Sequence, residues 1–375
     1  MKQIIIYIKK YFILLMILQS FFCFNCNNQR DHKDGLEGYE SLRKYDHILI
    51  KKDSLKYKYT NSTIMGEVFN IVYWGNKILM SDHNQQLYIF DSNLNFLKKI
   101  GRRGKGPGEF IYYPTPIIGS KKLMLVNTEE KKIYIYNDQF ELISTLYLPK
   151  EYIYFSPNPL YINDKYIFHC SNPKIFKNKN AYNNEKSMYA FNYKFEKINY
   201  FFEWDNIYHN DKYYAYCRNH GFVFLTKAEN SFFATQSASI YISHFSSDLK
   251  LIRKFGVKPK FFKNPPIEPN FRKIQKSIEA FVDFTASATY RNKIEYDKIN
   301  QHLVLGYVNL AKDFFKNKSY QYGDNCVQIF DKNYDCIFDD KIPGQLAFIK
   351  NGLIYFMIEQ SDKEIIFWGY ELVKK

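Results

Sequence analysis

One hairpin, written five times, the first four at intervals of similar length, constrains this chain more than any other feature. It reads LYIFDSNLNFLKKI from Leu87, IYIYNDQFELISTL from Ile133, MYAFNYKFEKINYF from Met188, IYISHFSSDLKLIRKF from Ile240 and VQIFDKNYDCIFDD from Val327. Each copy is an apolar run, a polar turn and a second run. Aromatic and β-branched residues favour strands, and Asp, Asn and Ser favour the turn. The starts lie 46, 55, 52 and 87 residues apart. A repeat of roughly 40–50 residues is the size of a four-stranded propeller blade, so each hairpin is the third and fourth strand of one blade.

The first copy sits in a blade that can be read completely. Val68 to Trp74, Lys77 to Asp82, Leu87 to Asp91 and Asn95 to Ile100 are its four strands. The long interval before Val327 needs an insertion. Gly256 to Phe284 supplies it, with a proline-rich loop and then RKIQKSIEAFVDF, in which Ile274, Ile278, Phe281 and Phe284 recur at helical spacing. A short helix is expected there, packed on the ring before blade five, which resumes at Ala288 to Asp297.

Ile365 to Leu372 is a sixth third-strand copy, and no fourth strand follows it. A lone strand-like run, Asp46 to Tyr59, has no partner beside it in sequence. Pairing the two closes a ring and removes two sheet edges that would otherwise invite aggregation. The expected fold is therefore an all-β, six-bladed β-propeller over 46–375, its last blade closed by the N-terminal strand, with a short helical insertion before blade five.

Ahead of the ring, residues 1–26 read as a lipoprotein signal peptide and 27–45 as a flexible tether. Lys2, Lys9 and Lys10 precede an apolar core from Tyr11 to Leu18, continued by Phe21, Phe22 and Phe24. The run is too short and interrupted for a membrane span. Cys23 and Cys26 lie where a signal peptidase would cut, and a lipoprotein needs a cysteine just after the cut. Cys26, followed by the polar Asn27-Asn28-Gln29-Arg30-Asp31, is the lipidation candidate. The chain is then a monomer held to a membrane leaflet in the bacterial envelope, periplasmic or on the outer-membrane surface.

The formal charge of +15 falls to +12 once the three signal lysines are removed. The basic residues are scattered and form no single face or helix, so nucleic acid is not expected as a partner. Cys170, Cys217, Cys326 and Cys336 show no metal spacing and allow three complete pairings. Buried free thiols are the expected state, and strand register does not favour a Cys326–Cys336 bridge.

The stretch SDHNQQLYIFDSNLNFLKKIGRRGKGPGEFIYYP resembles an NHL repeat, through Asp82, Asn84, Leu87, Ile89, Phe90, Asp91, Phe96, Gly101, Gly104, Gly106, Gly108, Phe110 and Pro114. With a lipoprotein signal ahead of it, the chain is similar to the six-bladed β-propeller lipoproteins of Bacteroidetes, TolB-like or NHL-like. That resemblance implies the ring and little chemistry, since the fold hosts binding modules, sensors and some enzymes.

Candidate sites are few. The loop Gly101 to Phe110 could cradle an anion with its glycine amides, helped by Arg102, Arg103 and Lys105. It opens a strand through Tyr112, Tyr113 and Pro114, though, where a nucleotide fold needs a helix. Its glycines suit a tight crossover between blades, with Phe110 as a plug. Asp82 suits the turn that follows it, and Asp82, Asn127 and Asn172 near second-strand ends are poorly placed for a channel metal. The eight histidines form no close ligand motif. Tyr112-Tyr113, Tyr152 to Phe155 and Tyr213 to Tyr216 suit packing better than sugar stacking. No cofactor and no catalytic residue is expected. The leading reading is a non-catalytic binding or scaffold module for a protein, peptide or glycan. The alternative is a metal-dependent propeller hydrolase or lyase with its site at the central channel.

Overall fold

The computed structural model describes residues 39–60, 63–154, 159–171, 186–213, 221–267, 274, 276–310 and 323–375. Six antiparallel sheets form the blades of a ring. Two strands, β1 (Tyr39–Glu40) and β2 (His47–Lys58), come before the first complete blade. Blade one is β3 to β6 (Val68–Trp74, Lys77–Asp82, Leu87–Asp91, Phe96–Ile100), and blade two is β7 to β10 (Thr115–Pro116, Leu123–Asn127, Lys132–Tyr136, Leu142–Tyr147). In blade three the innermost position is shared by β11 (Ile153–Tyr154) and β12 (Leu160–Ile162), followed by β13 to β15 (Lys165–Ser171, Lys186–Phe191, Lys197–Glu203). Blade four is β16 to β19 (Val223–Lys227, Ser231–Gln236, Tyr241–Ser246, Leu251–Gly256). Blade five is β20 to β23 (Thr289–Asp297, His302–Leu310, Gly323–Phe330, Cys336–Lys341). Blade six is β24 to β26 (Gln345–Lys350, Leu353–Gln360, Glu364–Lys374), with β2 as its outermost strand.

The six-bladed expectation and its closure both hold. Eleven residue pairs join β2 to β26, from His47 opposite Lys374 to Lys58 opposite Glu364. The strands of blade one match the sequence reading to within one residue. The insertion before blade five contains α1 (Ile278–Ala286), started by Ser277, whose side chain accepts the N–H of Ala280 at 3.0 Å. Ile274 and Phe284 of its apolar stripe pack with Trp204 and Tyr208, so at these two positions it is a packing face.

The tether expectation changes at its end. Residues 39–45 lie on the ring: β1 runs parallel to β19, with Tyr39 opposite Phe255 and Glu40 opposite Gly256. Leu42 and Lys44 then exchange backbone hydrogen bonds with Cys336 at the edge of blade five. A two-residue strand on an open edge leaves no periodic signal, which is why composition suggested a tether. Cys170, Cys326 and Cys336 are buried free thiols. Cys326 faces Lys341 while Cys336 faces Phe330, so register separates the two sulfurs. Cys23, Cys26 and Cys217 lie outside the described residues.

The repeated hairpin has one local solution. Asp91 at the end of β5 accepts the N–H groups of Asn93 and Asn95 at 2.8 and 2.9 Å. Asn137, Asn192 and Asp331 make the same two bonds in blades two, three and five. The residue three positions after each is a large apolar one in the left-handed region: Leu94 (φ 64°), Phe140 (61°), Phe195 (59°) and Tyr334 (69°), with Leu249 (66°) at the equivalent place in blade four. That conformation costs about 1–2 kcal/mol for a residue with a Cβ. It is offset because each of these side chains inserts into the core shared with the preceding blade. Burying a side chain of this size contributes about 1.5–3 kcal/mol. The turn therefore fixes hairpin register and plugs an inter-blade seam at once. Asp91→Ala and Asp331→Ala should each lower the unfolding free energy by about 1–2 kcal/mol, read as a lower urea midpoint at unchanged slope. Ser92→Ala, in the same turn, should leave the midpoint unmoved.

Candidate functional site

Antiparallel order within a blade gives the ring two unlike faces. On one face the turns between first and second, and third and fourth, strands are two to six residues long. Several are tight left-handed pairs, such as Gly75-Asn76 and Asn351-Gly352. The other face collects the crossovers between blades and the links from second to third strands. Among the described residues it carries the long connections 101–114, 204–213, 257–267 and 276–288. Binding residues concentrate on loops held by a rigid scaffold, so the crossover face is where a site should form.

The channel opens on this face into a cavity of about 60 Å³, lined among others by Phe69, Asn70, Tyr113, Asn292, Lys293 and Gln345. The innermost strands of blades one, five and six each carry a β-bulge here, between Val68 and Asn70, Arg291 and Lys293, and Leu346 and Phe348. A bulge leaves one residue out of the ladder and re-aims its side chain. Phe69 and Asn292 are such residues, and both line the cavity.

Lys293 is buried in the throat. Its Nζ donates to the carbonyl oxygens of Ile71 and Ala347, in blades one and six, and pairs with Glu295 Oε1 at 3.2 Å. Burial pushes the Lys293 ammonium down and the Glu295 carboxyl up from their usual values, and each opposes the shift in the other. Two residues earlier, buried Arg291 donates to the carbonyls of Ser239 and Ile240 in blade four at 2.8 Å each. Burial pulls this guanidinium down to about 10. Two cations of one strand thus tie blade five to blades four, six and one. The bonds they make go to the scaffold, as a buried charge needs such partners.

Beside the throat is an aromatic group. Phe69 stacks on Tyr113 with centroids 5.0 Å apart, and Tyr113 lies 4.3 Å from Tyr112. His83 meets the Phe69 ring edge-on at 3.5 Å and holds Glu67 through Nε2 at 3.1 Å. The arrangement offers aromatic surface, amide groups and ionic groups already paired with each other. It suits recognition by stacking and hydrogen bonding. Among the described residues no group of three His, Cys, Asp or Glu side chains stands close enough to hold a metal ion.

The glycine loop binds an anion, and the anion is its own. Glu109 folds back so that its carboxylate accepts the Gly106 N–H at 2.8 Å and the Arg102 Nε–H at 2.6 Å. A Cβ at Gly104, where φ is 159°, would fall 1.9 Å from Glu109 Oε2, so only glycine admits the carboxylate there. Phe110 is fully buried against Tyr134 in the seam of blades one and two, as expected of a plug. Arg102 is engaged with Glu109, while Arg103, at the base of the loop beside Phe110, and Lys105, further along it, are exposed.

Asp82 ends β4 and caps the turn that follows it. Its carboxylate accepts the N–H groups of Asn84 and Gln86 at 3.0 Å and of Gly66 at 2.8 Å, although burial pushes its carboxyl up. Asn127 likewise bonds Glu130 and the Glu109 carbonyl, and Asn172 lies outside the described residues. Tyr152 packs on Tyr189 and Phe191. Tyr213 lies against the Trp204 cluster, and 155 and 214–216 lie outside the described residues. The sequence reading missed Phe69, Asn292 and Lys293. Three charged residues at alternate positions of one inner strand, Arg291, Lys293 and Glu295, were the available signal.

A family model described as a six-bladed β-propeller, DUF5128, matches residues 55–366. Among solved structures, a member of the DUF4221 family from Bacteroides vulgatus superposes with a TM-score of 0.65 at 14% identity, covering 89% of this chain and 100% of its own. A protein from Bacteroides fragilis described as exported gives 0.57 at 14% identity, covering 90% and 99%. These likenesses establish the fold. Comparison with curated proteins returns no match.

The Glu109 clasp makes a pH prediction. The Gly106 N–H and Arg102 hold this carboxyl below its usual value of 4.5. A depressed folded value means that the clasp is intact above that usual value and is lost as pH falls through the folded one. Amide exchange at Gly106, corrected for intrinsic rate, should be protected at neutral pH and lose protection in acid. Glu109→Ala, which removes the acceptor, should lack the protection at neutral pH. Protection that ignores both pH and this substitution would contradict the clasp.

Proposed function

This chain belongs to the DUF5128 family of six-bladed β-propellers, and we propose on that footing that it is an exported, lipid-anchored binding or scaffold module without catalytic chemistry. The NHL-like first blade and the signal-like segment ending at Cys26 support the placement in the bacterial envelope. No described helix is long and apolar enough to cross a membrane. Its ligand is a protein, peptide or glycan laid across the crossover face.

The cavity at the channel mouth carries this reading. At about 60 Å³ it is far below the roughly 300–1,000 Å³ of pockets that enclose a small molecule. Lys293 closes the throat beneath it with bonds to two other blades. A ligand is then held from outside, by aromatic faces and amides at the rim of the mouth and by the surrounding loops. Such a surface can stack and hydrogen-bond, and among the described residues the carboxylate at the throat, Glu295, is held by Lys293.

The test is equilibrium binding of the full chain to a panel of envelope polysaccharides and peptides, with Phe69→Ala and Tyr113→Ala alongside. Saturable binding without turnover, weakened about tenfold or more in both variants, is the expected result. Turnover of a panel member that a calcium or zinc chelator abolishes would overturn this reading in favour of a metal-dependent hydrolase or lyase.

A further inference from the structure

The outer strands of blades three and four carry large apolar residues in the open. Leu251 and Ile252, adjacent in β19, are 45% and 54% exposed, and Ile198 and Tyr200 of β15 are each 49% exposed. Tyr193, in the turn before β15, is 66% exposed. Water is a poor solvent for such a group, and exposed apolar clusters mark contact surfaces.

Lysines lie over these rings. Lys194 stands 5.6 Å from the Tyr193 centroid and Lys197 5.2 Å from that of Tyr200. In blade four, Lys250 and Lys254 flank the apolar pair. The acids close by are engaged: Glu196 with Asn192, Glu203 with Lys186 and Asp248 with Lys165. Tyrosine beside a long cationic side chain is the combination that settles at a lipid headgroup boundary, with apolar bodies down and charges up. Basic residues next to it favour an anionic surface.

The path of the chain singles out this part of the rim. Blades one and two also expose apolar residues on their outer strands, but β1 leads the polypeptide off the ring at the outer edge of blade four. Thirteen residues take the chain from Tyr39 back to Cys26, a reach of at most about 45 Å. An anchor there, or the apolar segment preceding it, would bring the membrane nearest to the rim of blade four, where the chain leaves the ring.

We propose that the outer edge of blades three and four, through Tyr193, Ile198, Tyr200, Leu251 and Ile252 with their lysines, rests on an anionic lipid bilayer, so that the ring stands edge-on to the membrane. The proposal rests on the envelope placement above and adds an orientation to it. Edge-on docking leaves the crossover face open to the aqueous side, where a ligand would bind.

The test holds the full chain to vesicles through an N-terminal histidine tag on a nickel-chelating lipid, so that tethering is independent of Cys26. On vesicles with about one-third phosphatidylglycerol, amide exchange in 193–200 and 250–254 should slow at least about threefold relative to the free chain. On pure phosphatidylcholine the slowing should be smaller. The double variant Leu251→Asp, Ile252→Asp should lose the slowing at an unchanged melting midpoint. Exchange identical on and off vesicles, or slowing confined to another blade, would overturn the proposal. Fatty-acid labelling of the full chain and of Cys26→Ala reports separately on the anchor: label that persists in the variant refutes Cys26 as the site and leaves the docking result standing.

Discussion

Ring closure by a strand from the other end of the chain is the interaction on which the rest depends. Five blades are built from consecutive strands, and each could pair internally wherever it stood. The sixth could not: β26 is the last strand in sequence, and its outer edge is covered only when β2 arrives across the whole length of the protein. The join is reinforced along its course. Tyr355 donates to Asp53, Lys51 lies 3.5 Å over the Trp368 ring, and Lys56 bonds Glu364 at 2.8 Å. Leu55 is the one buried residue of β2 and enters the core between blades six and one, while Tyr57 meets Phe90 of blade one edge-on at 4.8 Å. The closing strand therefore seals a sheet edge and an inter-blade seam together, so the ring's stability rests on a long-range contact that forms only when both ends meet.

The throat follows from the same logic. Six seams radiate from the channel, and the innermost strands must approach one another closely around it. Bulges in β3, β20 and β24 loosen the ladders at that point and turn Phe69 and Asn292 toward the cavity. Arg291 and Lys293 then hold blade five to its neighbours through backbone carbonyls. A channel fastened in this way works as a structural hub, and recognition moves outward to the mouth and the crossover loops.

The fold was legible because the hairpin obeys strict local chemistry. An Asp or Asn that caps its own turn and an apolar residue three positions on recur at readable intervals, and they recur because the same seam must be plugged in successive blades. The closing strand was legible by elimination, as a vacancy and an orphan of matching length. Less of the site could be read. Glu109 looked like one more residue of a glycine loop, and only the fold shows its carboxylate occupying the cradle that the glycines make. Bulges leave no mark in an alternating pattern, so the exposure of Phe69 and Asn292 at the mouth was hidden. The strap formed by residues 39–45 was hidden too, because it adds to an edge through backbone groups that any sequence carries.

The most direct test of this account is the melting midpoint of the chain lacking residues 46–59, measured beside the full chain. If the N-terminal strand closes the ring, its removal exposes β26, opens the seam with blade one and lowers the midpoint by about 10 °C or more, or prevents cooperative melting altogether. An unchanged midpoint would contradict closure by β2 and, with it, the six-bladed ring as a single cooperative unit.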